Sequence, residues 1–351
     1  MKDIFSKRLK NARIKQNLSL DKLSDSMDKI VSKNALSKYE KGEMLPNSNV
    51  LIKLSNILEV SIDYFFRPFE IVIDQLEFRK KSNLPVSDKK RIVETVKDYI
   101  ERYIELENIT NKQGIFKNPA EKIHVLGSDD VIDSANIIRR EWELGKAPIP
   151  SVIDLLEKNH IKIIEINAVA KFDGLSGYIN DEIPFIVINK NFNVERKRFT
   201  ILHELGHIVL NFNKYLEQNS IEKYCNEFSS ELLLPGSVII DLLSNKRHNI
   251  VSSEISKIQE QYGISFTAIV YKLQELNILP TYKVKKFFIK RNSESVFKQY
   301  VDKSRYMALE ESNRFNSLIN HAITEELITI SKAAALSMSN VNELKESLTY
   351  I

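Results

Sequence analysis

Apolar residues recur at helical spacing near the front of the chain: Ile4, Leu9 and Ala12, then Leu20, Leu23 and Met27, then Val50, Leu51, Leu54 and Leu58. The pattern predicts a run of short helices over 4–66. Ser19 and Ser32 stand where the second and third helices need N-caps, Gly42 can end the third, and Pro46 falls in the loop before the fourth. The pattern breaks over 67–85, read as the exit from a first domain. A helix is then predicted over 87–108, charged on one face and carrying Ile92, Val96, Tyr99, Ile100 and Tyr103 on the other. Such a helix suits a spacer or a dimer contact. A loop is expected over 109–127.

From 128 the periodicities mix. Helices are expected over 129–144 and 150–158, and the β-branched run 161–166 reads as a strand. Gly174 and Gly177 are expected to flank a turn, with strands at 178–179 and 185–188. Helices over 195–211 and 219–233 follow, the second stopped by Pro235 and Gly236, then a helix pair over 250–279. The run 284–289 reads as a strand, and the remainder as helices. The fold class is mainly α with a small β-sheet (α+β).

Composition narrows the picture. Of 351 residues, 43% are apolar and 28% charged, enough for two or three packed domains. No apolar run is long enough for a membrane span, and the N-terminus lacks the apolar stretch of a signal peptide. The one cysteine, Cys225, has no internal disulfide partner. These features lead us to expect a cytoplasmic protein without a membrane partner. Residues 1–70 hold thirteen Lys and Arg against nine Asp and Glu, an excess equal to the net +4 of the whole chain. That asymmetry suits either a polyanion-binding module at the front or a solvated helix surface.

The segment His203-Glu204-Leu205-Gly206-His207 carries candidate chemistry. On a helix, positions i and i+4 share a face, so both imidazoles can reach one ion and Glu204 can reach a water beside it. Zinc suits two imidazoles, but a catalytic zinc needs a third protein ligand. Glu222 is the best candidate, because Asn226 shares its helix face and can accept a hydrogen bond from a ligand histidine. Glu227 is the runner-up and points about 100° away from Asn226. The expectation is one Zn2+ per chain on His203, His207 and Glu222, with Glu204 as catalytic base, Asn226 behind the ligands, and Tyr178 or Tyr224 as oxyanion donor.

These residues resemble the ImmA/IrrE-type metallopeptidases. The likeness rests on 172–177, on 196–207 and on 222–235, with Trp142-Glu143-Leu144-Gly145 and Pro148-Ile149 as its lead-in. Cys225, Ser229 and Ser230 stand where that family usually has alanines, so Cys225 reads as packing. The front of the chain, through 18–23, 31–42 and Pro46, is similar to an XRE-type helix-turn-helix of the phage-repressor kind. A recognition helix capped by Ser32 presents Lys33, Asn34, Ser37 and Lys38 outward, where Asn can read adenine and Lys guanine or phosphate. Residues 254–279 share helix-turn-helix spacing but read as a helical pair packed on the peptidase.

The two resemblances imply four segments. A five-helix repressor-like DNA-binding domain occupies 1–69, and a linker with a long helix 70–127. A zincin-like peptidase domain follows over 128–280, and a mostly helical region over 281–351. They imply a transcriptional regulator that binds a double-stranded DNA operator as a homodimer. Its zinc endopeptidase cleaves a protein substrate, a repressor, a toxin-like partner or the chain itself, in stress, mobile-element or toxin–antitoxin control. The alternative is a transcription factor or antitoxin that uses the zinc domain as sensor or scaffold without proteolysis. A third reading is a peptidase whose front domain binds only protein.

Overall fold

Each expected N-cap serine closes a helix. In a computed structural model describing residues 2–68, 84–244 and 247–348, α1 (Lys2–Lys15) leads to α2 (Leu20–Ser26) and α3 (Lys33–Glu40). Ser19 Oγ accepts the Lys22 amide at 3.1 Å and Ser32 Oγ the Ala35 amide at 3.2 Å. Asn47 caps α4 (Ser48–Leu58) in the same way. A 3-10 turn, Asp63–Phe66, follows. Phe5, Leu9, Leu23, Leu36, Leu54, Leu58 and Phe65 form the core of these elements. Of the segment 67–85, residues 69–83 lie outside the described residues.

The long helix α5 (Val86–Thr110) packs on α1. Asp98 takes ion pairs from Lys15 and Arg67, each at 2.8 Å, and from Arg102 at 3.4 Å, while Glu101 takes Arg8 at 2.6 Å. Burial opposes ionisation of Asp98, but Arg102, Lys15 and Arg67 together hold its carboxyl well below the usual range.

Next come β1 (His124–Val125), α6 (Ser128–Glu141), α7 (Val152–Lys158), β2 (Lys162–Ile166), β3 (Gly174–Ile179) and β4 (Ile183–Asn189). The sheet order is β2-β4-β3, with β2 parallel and β3 antiparallel to β4, so β3 is an edge. The glycines expected to flank a turn lie within β3. The turn is the three-residue connection Asn180, Asp181 and Glu182, the first two at positive φ, between the paired ends Ile179 and Ile183. The chain continues through α8 (Val194–Val209), β5 (Asn211–Phe212) and α9 (Gln218–Leu233). The helices α10 (Gly236–Leu243), α11 (Ser252–Tyr262), α12 (Phe266–Glu275), α13 (Thr281–Ser293) and α14 (Ser295–Asp302) follow. The strand expected over 284–289 is helical. Val284, Phe287 and Phe288 are spaced three and four apart, and that face packs on the core.

Then α15 (Arg314–Thr324), α16 (Ile330–Ser337) and α17 (Val341–Ser347) cover the apolar face of α5. Tyr103 and Leu106 pack with Phe315, Leu318, Ala322 and Leu336. The face that suggested a spacer or dimer contact is thus buried within the chain. Two compact units result, residues 1–114 with 313–351, and residues 115–312. Among the described residues no helix is long and apolar enough to cross a membrane.

Within the second unit, the segment 303–312 is bonded to the first half of α8. Arg198, fully buried, pairs with Glu310 at 2.7 Å and donates to the Ile149 carbonyl. Glu310 in turn accepts the Ile153 amide at 2.6 Å. Glu195 accepts Ser304 Oγ and the Arg305 and Tyr306 amides. Burial opposes its ionisation, but these hydrogen bonds outweigh it and hold the carboxyl below the usual range.

Replacing Glu310 with Gln strands the Arg198 charge and lowers unfolding free energy by about 3–5 kcal/mol in denaturant titrations. Because the native Glu195 pKa lies below its unfolded value of about 4.3, its contribution is present above that pH. It is lost as the pH falls through the native value. Glu195→Gln therefore flattens the acid limb of a stability–pH curve, and an unchanged limb contradicts this account.

Candidate metal centre

Helix α8 starts on Asn193, whose side chain accepts the Arg196 amide at 2.9 Å. Its buried face holds Leu202 and Leu205 in the core, and this sets the direction of the intervening polar side chains. His203 is 6% exposed and Glu204 2%, and His207 is half-buried. The two rings are edge-on, their centroids 5.2 Å apart.

Helix α9 crosses α8 where Gly206 faces Cys225. A Cβ on Gly206 would stand 3.2 Å from Cys225 Sγ and 3.3 Å from its Cα, so any side chain there presses α9 away, by a few tenths of an ångström for the smallest. The crossing brings Glu222 between the histidines. Its carboxylate oxygens lie 3.5 Å from His203 Nε2 and 3.7 Å from His207 Nε2, and Gln218 donates to it at 3.1 Å. One turn on, Asn226 Oδ1 lies 2.7 Å from His203 Nδ1. That contact assigns the proton to Nδ1 and leaves Nε2 a bare lone pair. His203 Nε2 is buried and makes no hydrogen bond.

This arrangement fits a metal ion. Tetrahedral zinc with bonds of about 2.0–2.2 Å separates its ligand atoms by roughly 3.3–3.5 Å. An orphaned, buried imidazole nitrogen otherwise costs about 1–3 kcal/mol. Cys225 Sγ also lies within 4.8 Å of ligand nitrogens of both histidines. The thiol is fully buried among apolar side chains at the helix crossing, whereas the Glu222 side chain is 17% exposed and reachable by a substrate. We therefore favour the carboxylate. Glu227, the other ligand considered, pairs with Lys223 at 3.2 Å.

Edge strand β3 closes the other side. Gly174 lets it approach α8, since a Cβ there would meet Val187 O at 3.0 Å and Glu204 Cγ at 3.3 Å. Ser176 Oγ donates to Glu204 Oε2 at 2.9 Å. Sequence reasoning did not single out Ser176, although it lies two positions from Gly174 on the same strand face. Burial pushes the Tyr178 phenol up, and its hydroxyl donates to the Ile208 carbonyl at 3.2 Å. Tyr224 donates to the Leu126 carbonyl at 3.4 Å. Both tyrosines named as oxyanion donors thus hold main-chain carbonyls.

In the first unit, Lys33, Asn34 and Lys38 are exposed on α3, Ser37 is half-buried, and Ser32 spends its hydroxyl on the cap. Lys33 pairs with Asp21 at 2.8 Å. Leu36 and Tyr39 face inward.

The comparisons agree with both halves. A family model described as an IrrE N-terminal-like domain matches residues 156–274, and a helix-turn-helix model matches residues 9–65. The Radiation response metalloprotease IrrE of Deinococcus deserti is 31% identical over 117 residues, 30% of this chain and 41% of that protein. The protein of the same name from Deinococcus radiodurans is 28% identical over 117 residues, covering 30% and 35%. The HTH-type transcriptional regulator YqaE of Bacillus subtilis is 34% identical over 64 residues, covering 18% and 53%. The match thus spans about two fifths of the first relative and half of the last. This chain carries a helix-turn-helix domain and an IrrE-like metallopeptidase domain, in that order.

The tight crossing has a stability consequence. Gly206→Val forces α9 away from α8 and destabilises the protein by about 1–3 kcal/mol, read by chemical denaturation. Equal stability of wild type and variant contradicts the packing described.

Proposed function

We propose that this chain is a DNA-binding transcriptional regulator whose second unit is a zinc-dependent endopeptidase acting on a protein partner. One observation carries the peptidase reading: two imidazole nitrogens and a carboxylate converge around a buried nitrogen that has no hydrogen-bond partner. His203, His207 and Glu222 hold one zinc ion, and Asn226 fixes the His203 ring. When bound, the metal supplies Lewis-acid polarisation and a water acidic enough to ionise near neutral pH. Glu204 accepts the proton of the attacking water at its carboxylate and passes it to the leaving amine. Ser176 holds that carboxylate in position. The edge of β3 pairs with an extended substrate segment, and its backbone groups set the register.

The DNA reading rests on α3, whose outward Asn34 and Lys38 suit base and phosphate contacts. Ser32, Lys33 and Ser37 complete the interface, with Lys33 leaving Asp21 for the DNA. We propose residues 1–69 as the DNA-binding module, 70–127 as the segment joining it to the peptidase, and the cytoplasm as its compartment. Two such modules on paired half-sites make a dimer. The remaining substrate classes are a repressor, a toxin-like partner or a second copy of the chain. The intact Glu204 and its serine partner favour hydrolysis over a purely sensory zinc domain.

Glu204→Gln lowers cleavage of a partner protein by about 10²–10⁴-fold and leaves operator affinity unchanged. Cleavage at the wild-type rate rejects the mechanism. Asn34→Ala costs about 1–3 kcal/mol of discrimination between operator and unrelated DNA. Equal discrimination, measured by fluorescence anisotropy at fixed salt, rejects α3 as the reading helix.

A further inference from the structure

Positive charge gathers in one stretch of the second unit. Residues 281–305 hold six Lys and two Arg against one Glu and one Asp, an excess of +6 where the whole chain carries +4. Helix α13 contains five of these cations and no acidic residue. Its inward face is spent on packing, with Val284 buried and Phe287 and Phe288 against the core. The outward face is a stripe at helical spacing, Tyr282, Lys285, Lys286, Ile289, Lys290 and Ser293, every one of them exposed.

Little inside the molecule neutralises this stripe. Arg291 lies on the opposite side of the helix and takes Asp302 at 2.7 Å, the one aspartate of the stretch. Lys290 meets Glu294 at 3.8 Å, an exposed pair that contributes little. Among the described residues Lys285 and Lys286 have no ion-pair partner. Lys286 and Lys290, one turn apart, stand about 5–6 Å from each other. With Lys285 they form a row of point charges on a helix about 20 Å long. The hydroxyls of Tyr282 and Ser293 lie at its two ends, and lysines with hydroxyls are a donor set for phosphate oxygens. A membrane surface fits less well. The aromatic face is turned to the core, and only Tyr282 and Ile289, 66% and 68% exposed, remain to enter lipid.

We infer that α13 is a second DNA contact, a sequence-independent grip of the peptidase unit on the phosphate backbone. Lys285, Lys286 and Lys290 neutralise phosphates, and Tyr282 and Ser293 donate hydroxyls to phosphate oxygens. The occupant rests on the reading of the chain as a DNA-binding regulator. The site shares no residue with α3, so each is tested by its own variants.

The experiment is the salt dependence of DNA affinity, measured on the full chain by fluorescence anisotropy between about 50 and about 200 mM salt. The probes are a random-sequence duplex and a duplex that the wild type selects from a random library. With Lys285→Gln, Lys286→Gln and Lys290→Gln together, the slope of log affinity against log salt becomes shallower by about 2–3 on both duplexes. The preference between the duplexes is unchanged. Arginine at the same three positions keeps the wild-type slope. Lys122→Gln, Lys158→Gln and Lys190→Gln together, exposed lysines elsewhere in the same unit, change it by less than about 1. A wild-type slope in the α13 variant, or an equal loss in this control, overturns the inference and leaves the α3 reading standing. Phosphatidylserine vesicles bound by the wild type and lost by the α13 variant, with its DNA slope unchanged, overturn it in favour of a membrane. Asn34→Ala with Lys38→Ala tests the other reading. A sequence preference kept in that variant, beside a slope lost in the α13 variant, rejects α3 and retains α13.

Discussion

The close crossing of α8 and α9 at Gly206 and Cys225 is the constraint on which the site depends. Histidines four residues apart on α8 are aligned by helix geometry alone. They become a metal-binding set only when a second helix passes near enough to place a short carboxylate against both rings. A side chain at 206 would move α9 outward and take Glu222 and Asn226 with it. The same helix is held at its other end by buried charge, through Arg198 and Glu310 and through Glu195 and the 303–306 backbone. Its first half is therefore fixed by electrostatics and its second half by packing, and Glu204 sits between the two.

Local chemistry made much of this legible in the sequence. The serine caps, the inward Leu36 and Tyr39, and the histidine pair with Glu222 and Asn226 all follow from helical periodicity and from what each side chain can accept. Where the chain departed from expectation, the deciding contact lay far away in sequence. Gly174 and Gly177 read as turn residues, yet both lie within β3, and the missing side chain of Gly174 lets that strand lie against α8. The run 284–289 looked like a strand by composition, but its aromatic spacing is helical and the core covers that face. Ser176 was silent because its partner, Glu204, lies on another element. The apolar face of α5 invited a second subunit, and only the return of the chain at 313 shows what covers it.

That return carries the chain through both compact units. The polypeptide leaves the first unit at Gly114 and re-enters it at Asn313, so its passage back runs through the 303–312 segment. Lys197 donates to the Glu310 carbonyl at 2.9 Å, and Ser312 donates to Glu157 and Glu165. The helix that carries the histidines is thus bonded to the segment that continues into the first unit.

The central claim is that His203, His207 and Glu222 form one metal site, and metal content tests it most directly. Zinc per chain is measured by elemental analysis after zinc loading and dialysis, in the wild type, Glu222→Ala and Cys225→Ser. The account predicts one zinc in the wild type and in Cys225→Ser, and a weakened or lost metal in Glu222→Ala. Zinc retained in Glu222→Ala but lost in Cys225→Ser, or absent from all three, would contradict it.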